Sequence, residues 1–124
     1  MAKPLIAAVD DDPTICEMIK CNLESDYDIK TFMSGGDAVK FISRSHVDMV
    51  LLDYEMPAMT GYGVLMSVRS HKDTMDLPVI FITGVTNKRL EDEMIERGAN
   101  AFITKPIDFT LLKQLINKHL PGKR

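Results

Sequence analysis

Three acids, a hydroxyl and a lysine each stand at the end of a short apolar run in this chain. Asp10 and Asp11 follow the run Leu5 to Val9, and Asp53 follows Val50-Leu51-Leu52. Thr83 closes the run that begins at Leu77, and Lys105 follows Ala101 to Thr104. An acid after a strand is often only a helix cap, and Asp12, with Pro13 behind it, reads as one. The others gain meaning by arriving together. Clustered carboxylates repel one another in a half-buried site and need a compensating cation. Hard oxygen ligands around an open site favour Mg²⁺, which keeps waters and bridges to phosphate oxygens. Zinc and copper are not expected, because thiols and imidazoles are missing from the set. Asp53 lies deepest between its neighbours and is the candidate nucleophile, since carboxylates form aspartyl phosphates. Lys105 would offset charge on a transferring phosphoryl group, and Thr83 would donate to one of its oxygens.

The elements that must bring these residues together alternate along the chain. Strands are expected over Leu5 to Val9, Asp28 to Phe32, Val47 to Leu52, Leu77 to Thr83 and Ala101 to Thr104. Most are continuous apolar runs, as in strands buried on both faces of a parallel sheet. Asp28 to Phe32 is more polar and belongs at an edge. The first helix carries Ile15, Met18, Ile19 and Leu23 at helical spacing. A second starts at Ser34, with Asp37 three residues on as in a capping box, and has an apolar stripe of Ala38, Val39, Phe41 and Ile42. A third spans Gly61 to Ser70. The fourth, Asn87 to Arg97, is heavily charged, with Leu90, Met94 and Ile95 as its apolar positions and Gly98 closing it. Asp108 caps a fifth that carries Leu111, Leu112, Leu115 and Ile116.

Five strands alternating with five helices predict an α/β fold, a doubly wound five-stranded parallel sheet. The flavodoxin-like strand order 2-1-3-4-5 places the polar second strand at an edge. Such sheets bind ligands beyond the carboxyl ends of their strands, where the order reverses. Here that point lies between the first and third strands, which end on Asp10-Asp11 and on Asp53.

Composition narrows the function classes. Apolar residues make up 45% and charged residues 27%, the net charge is −3, and no basic run supplies phosphate contacts, so nucleic acid is not expected as a direct partner. No run approaches the roughly 20 apolar residues of a membrane span, and the first residues lack the pattern of a signal peptide. The expected location is cytoplasmic. Cys16 and Cys21 point to different faces of one helix, which suits reduced thiols. His46, His71 and His119 are scattered and read as surface residues. The chain is expected to form one domain over 1–120, with 121–124 as a short tail or the start of a linker.

From AAVDDDP through LLDYEMPAMTGYGVL and FITG to AFITKPI, nearly the whole chain resembles the receiver domain of two-component response regulators, chemotaxis regulators among them. The acidic pair, the central acid, the Thr and the Lys-Pro occur in order with suitable spacing. The resemblance implies a phosphoacceptor signalling domain, not an enzyme in its own right, that assists its own phosphorylation and dephosphorylation. Asp53 would accept a phosphoryl group from a histidine kinase or a histidine phosphotransfer protein. Asp11 and Asp53 would bind Mg²⁺ directly, Asp10 largely through water, and the Glu55 backbone carbonyl would be a further ligand. Lys105-Pro106 would carry a cis peptide bond at Pro106. On phosphorylation Thr83 would move toward the new oxygens and Phe102 would turn inward behind it. Phe102 stands where some members have tyrosine and has no hydroxyl, so its part would be played by packing alone. The surface of the last two helices and the last strand would then change, with dimerisation as one outcome. Glu55, two residues after Asp53, is expected over the mouth of the site, where it would set phosphoryl lifetime by touching Lys105 or by affecting the approach of water.

Two rival readings share parts of this chemistry. Haloacid-dehalogenase-type phosphatases also use an aspartyl phosphate, Mg²⁺ and a lysine. Their nucleophile ends the first strand, however, and their acidic pair comes late, the reverse of the order here. A flavin-binding module of the same fold would need a loop rich in Ser, Thr and Gly after the first strand, and there is none.

Overall fold

The computed structural model describes residues 3–84 and 87–120. The expected tail, 121–124, lies outside the described residues. The strands are β1 (Leu5–Val9), β2 (Asp28–Phe32), β3 (Met49–Leu52), β4 (Val79–Thr83) and β5 (Ala101–Thr104). The helices are α1 (Pro13–Leu23), α2 (Gly35–Arg44), α3 (Gly61–Arg69), α4 (Lys88–Glu96) and α5 (Phe109–His119). All strand pairs are parallel, in the order β2-β1-β3-β4-β5. The sheet therefore has the doubly wound architecture expected from the alternation of runs.

Each helix begins where a short polar side chain supplies the acceptor that its first turn lacks. Asp12 accepts from Thr14 N–H, and Pro13 fills the first helical position. Ser34, Thr60, Asn87 and Asp108 do the same for the later helices. Gly98, at φ 116°, takes the backbone that turns the chain from α4 toward β5.

Because helices cover both faces, successive strand residues feed two separate cores. Val9, Val50, Leu52 and Phe81 pack with α2, α3 and Met94 of α4. Ile6, Ala8, Leu51 and Ile80 pack with α1 and α5 through Ile19, Leu23, Leu112 and Ile116.

Several element boundaries and three side chains differ from expectation, among them the end of α3, which stops at Arg69 with Ser70 as its cap. β3 starts at Met49, because Asp48 bonds Leu5 through both its backbone N–H and its carboxylate. β4 starts at Val79, after Pro78, which has no N–H to give a ladder. α4 is shorter by one residue at each end, with Asn87 and Arg97 as its caps. Ile95 is 42% exposed, as is Leu111, and Met18 is 39% exposed. Each lies one step round the helix from a residue that does face the sheet, roughly 100° away.

At the amino ends of β4 and β5, opposite the carboxyl ends of the strands, the sheet is tied by Arg69, at the last turn of α3. Its guanidinium donates to the Leu77 carbonyl at 2.6 Å, to the Gly98 carbonyl at 2.7 and 3.2 Å, and to Asn100 Oδ1 at 3.1 Å. One half-buried cation thus ties α3, the approach to β4 and the α4–β5 turn together.

Candidate functional site

At the carboxyl end of the sheet, β1 and β3 stop level with one another. Val9 pairs with Leu52, and Asp53 N–H donates to the Val9 carbonyl at 2.9 Å. Asp10 and Asp53 therefore leave adjacent strands side by side, 3% and 5% exposed. Asp11, next in the chain, is exposed. The three carboxylates each offer an oxygen, and these atoms lie within 4.8 Å of one another. That is an all-oxygen set, open on the Asp11 side, and its chemistry fits a hard divalent cation such as Mg²⁺.

Lys105 enters from the end of β5. Its ammonium is 2.7 Å from Asp10 Oδ2 and 3.6 Å from Asp53 Oδ2. The lysine thus sits closer to the first-strand acid than to the central one. Asp10 Oδ1 also accepts from Asp12 N–H at 2.9 Å, so both its oxygens are engaged. The Lys105–Pro106 peptide is cis. Burial lowers the pKa of the Lys105 ammonium, but its bond to Asp10 and the charges of Asp10 and Asp53 outweigh this and leave it raised.

Asp53 moves the other way for an acid. Burial raises its pKa above the ordinary carboxylate value, and the Asp10 charge raises it further. Lys105, a hydrogen bond from the Thr83 hydroxyl and one from Tyr54 N–H recover only part of this. A carboxylate so placed is short of positive charge, and a bound cation would supply it.

Thr83 is fully buried at the end of β4. Phe102 is half-buried on β5, in register with Phe81 and 6.0 Å from it between ring centroids. Phe81 in turn lies 6.3 Å from Tyr54, which follows Asp53. Glu55 is exposed, and the Lys105 ammonium is held by the two buried acids, so of the two expected routes for Glu55 this unphosphorylated structure shows no ion pair with Lys105. A further participant escaped the sequence reading. Gly61 N–H donates to the Tyr54 carbonyl at 2.8 Å. A Cβ at Gly61 would collide with the Asp53 carbonyl oxygen and come within 2.7 Å of the Phe81 ring. A glycine opening a helix eight residues after the acid was the available signal.

This fold, with its acids and lysine at the switch point, is that of a receiver domain. The family model for the response regulator receiver domain matches residues 6–117, and the chain belongs to that family. Over 119 residues the chain is 37% identical to a probable cyclic di-GMP phosphodiesterase of Vibrio cholerae, a match that covers 96% of this chain and 27% of that protein. The chain spans about a quarter of the length of the curated relatives it matches first. The structure of the chemotaxis protein CheY4 of Vibrio cholerae superposes with a TM-score of 0.89 at 26% identity, covering 96% of this chain and all of that one. The response regulator TrrA of Thermotoga maritima, solved in complex with Mg²⁺-BeF, gives a TM-score of 0.84 at 31% identity, covering 94% and 99%. The chain is thus a phosphoacceptor receiver domain of two-component signalling, a class that takes phosphate from histidine kinases or phosphotransfer proteins. The phosphatase and flavin readings are set aside by that membership. No helix among the described residues is long and apolar enough to cross a membrane.

Proposed function

We propose that Asp53 is the phosphoacceptor and that Asp10, Asp11, Asp53 and the Glu55 backbone carbonyl hold Mg²⁺. The observation that carries this is the pair of buried acids, Asp10 and Asp53, sharing one lysine beside an exposed third acid. Two buried negative charges with one cation leave a deficit that a divalent ion and a phosphoryl group together would use. The ion, when bound, would neutralise charge on the phosphoryl oxygens.

In the transfer, an Asp53 oxygen bonds to phosphorus as the P–N bond of a donor phosphohistidine breaks. The electron pair stays on the imidazole nitrogen, which takes up a proton. Lys105 then follows the new charge, and the Thr83 hydroxyl donates to a phosphoryl oxygen. Phe102, already packed at a tilt against Phe81, fills the space that Thr83 leaves, and the exposed parts of α4, β5 and α5 change. Phosphorylation brings about −1.5 to −2 charges. Moving the domain from 1:99 to 99:1 takes about 5.5 kcal/mol of differential binding, to be met by the ion, Lys105 and Thr83. The phosphoryl donor in this reading is a histidine kinase or a histidine phosphotransfer protein. The domain assists both gain and loss of the phosphoryl group, and the altered α4-β5-α5 surface supports dimerisation.

Incubation with Mg²⁺ and a small phosphodonor, followed by intact mass, tests the assignment. One phosphoryl group should appear on the wild-type chain and none on Asp53→Asn. A wild-type chain that gains nothing, and shows no spectral response to beryllofluoride, would overturn it.

A further inference from the structure

The loop between β3 and α3 contains the one positive-φ residue other than glycine among the described residues. Ala58 has φ 68°, a conformation uncommon for a residue with a Cβ. Met59 N–H donates back to the Pro57 carbonyl at 2.8 Å, which closes a γ-turn of the rarer, strained sense. Backbone of this kind persists where its surroundings over-determine it.

What surrounds the turn is a slot for the next side chain. Met59 is half-buried against the core shared by α2 and α3. Two glycines, one in the first turn of each helix, leave room for it. A Cβ at Gly35 would stand 2.8 Å from Val64 Cγ2 of α3, 3.1 Å from the Met59 carbonyl oxygen and 3.2 Å from the Met59 Cβ. A Cβ at Gly63 would stand 3.0 Å from its Cγ. On either side the loop is tied down. Thr60 caps α3 by accepting from Gly63 N–H at 3.3 Å, and Gly61 N–H holds the Tyr54 carbonyl. The segment 54–61 is thus pinned at both ends, and Met59 is the side chain that locks its middle.

We infer that Met59 is a positioning residue: seated between Gly35 and Gly63, it fixes the backbone that runs from Asp53 to Gly61, the Glu55 carbonyl included, for binding of a divalent cation. This rests on the assignment of Asp53 and its neighbours as the metal site. Methionine suits such a slot, being unbranched and able to follow an irregular gap. The turn at Ala58 is the conformation that delivers it there.

Three variants separate positioning from mere packing. In Gly63→Ala, the added Cβ meets the Met59 side chain and, beyond its chain neighbours and its own helix backbone, nothing else within 4 Å, while the exchange favours the helix itself. Its folding stability should hold or rise, yet its affinity for Mg²⁺, titrated by calorimetry or NMR, should fall by about tenfold, as for other supports of metal ligands. Met59→Ala should lose affinity to a similar degree, and Met59→Leu, which refills the slot, should regain it. Gly63→Ala and Met59→Ala proteins that remain folded by circular dichroism and bind Mg²⁺ like the wild type would overturn the inference. So would affinities that simply follow the urea stability of each variant. A wild-type chain that binds no Mg²⁺ would instead overturn the metal-site assignment, and the positioning role with it.

Discussion

Replacing Asp53 by Asn should make the metal-free protein more stable, although it removes the proposed phosphoacceptor. The magnitude follows from the distances. Asp10 and Asp53 offer oxygens within 4.8 Å of each other, a repulsion of about 3.5 kcal/mol at an effective dielectric constant near 20. Lys105 at 3.6 Å returns about 4.6 kcal/mol on the same scale. The surplus of about 1 kcal/mol is smaller than the several kcal/mol lost in desolvating a buried carboxylate. The raised pKa of Asp53 has the same direction and the same leading cause, burial. Asparagine keeps the shape and discards the charge, so a gain of about 1–3 kcal/mol at pH 7 is expected. Urea unfolding in EDTA, followed by circular dichroism, should show a midpoint higher by roughly 0.5–1.5 M. With Mg²⁺ at a hundred times its Kd, the wild type should recover about 2.7 kcal/mol, while Asp53→Asn should recover little. The gap also depends on pH. Well below the ordinary carboxylate value Asp53 is protonated both folded and unfolded, and the charge difference between the two proteins vanishes. As pH rises through the raised folded value, the unfolded chain ionises more readily, and the wild type pays its full penalty above that value. An Asp53→Asn protein less stable than wild type in EDTA, or one with an undiminished response to Mg²⁺, would refute the reasoning.

Lys105→Met should act in the opposite direction. It strands two buried carboxylates and should destabilise the metal-free protein by about 3–5 kcal/mol, with much of the loss restored by Mg²⁺ in the same urea assay. Gly61→Ala should cost about 2 kcal/mol or more through crowding of Asp53 and Phe81, and should slow labelling by a small phosphodonor. Glu55→Ala should change the rate of phosphoryl loss with little change in stability, since Glu55 is exposed; an unchanged decay of the phosphorylated mass species would remove Glu55 from the mechanism. Arg69→Met should cost about 1–3 kcal/mol, because two half-buried carbonyls, of Leu77 and Gly98, lose a charged donor, and amide exchange at Ala99 and Asn100 should quicken before that at Leu51.

The fold was legible because four of the five strands are short apolar runs, and the fifth, the more polar β2, lies at the edge of the sheet. Leu5–Val9 cannot be an amphipathic helix, and Asp12-Pro13 announces where the next one starts. The acids and the lysine were legible because they end such runs, and topology then brings the run ends together. Contacts between side chains were not. That Lys105 lies nearer Asp10 than Asp53 depends on where the β5 end points its side chain. Arg69 reaches Leu77 eight residues away and Gly98 twenty-nine away, a convergence no local pattern encodes. Ile95 and Leu111 carry the right chemistry for a core, but hydropathy does not say which apolar residue of a crowded stripe is turned outward. Nothing in the local sequence sets Met59 apart, because the two glycines that flank it lie on α2 and α3.

The two cores, one on each face of the sheet, meet only through the strands themselves. Each strand residue serves one face: Val50 and Leu52 one, Met49 and Leu51 the other. The side that holds α2, α3 and α4 can therefore be rewritten by mutation with few compensating changes beneath α1 and α5. A lineage could remodel the exposed surface of α4 while its α5 surface stayed constant, or the reverse. The chemistry would be spared in either case, because Asp10, Asp53 and Thr83 stand at the strand ends, above the boundary between the halves.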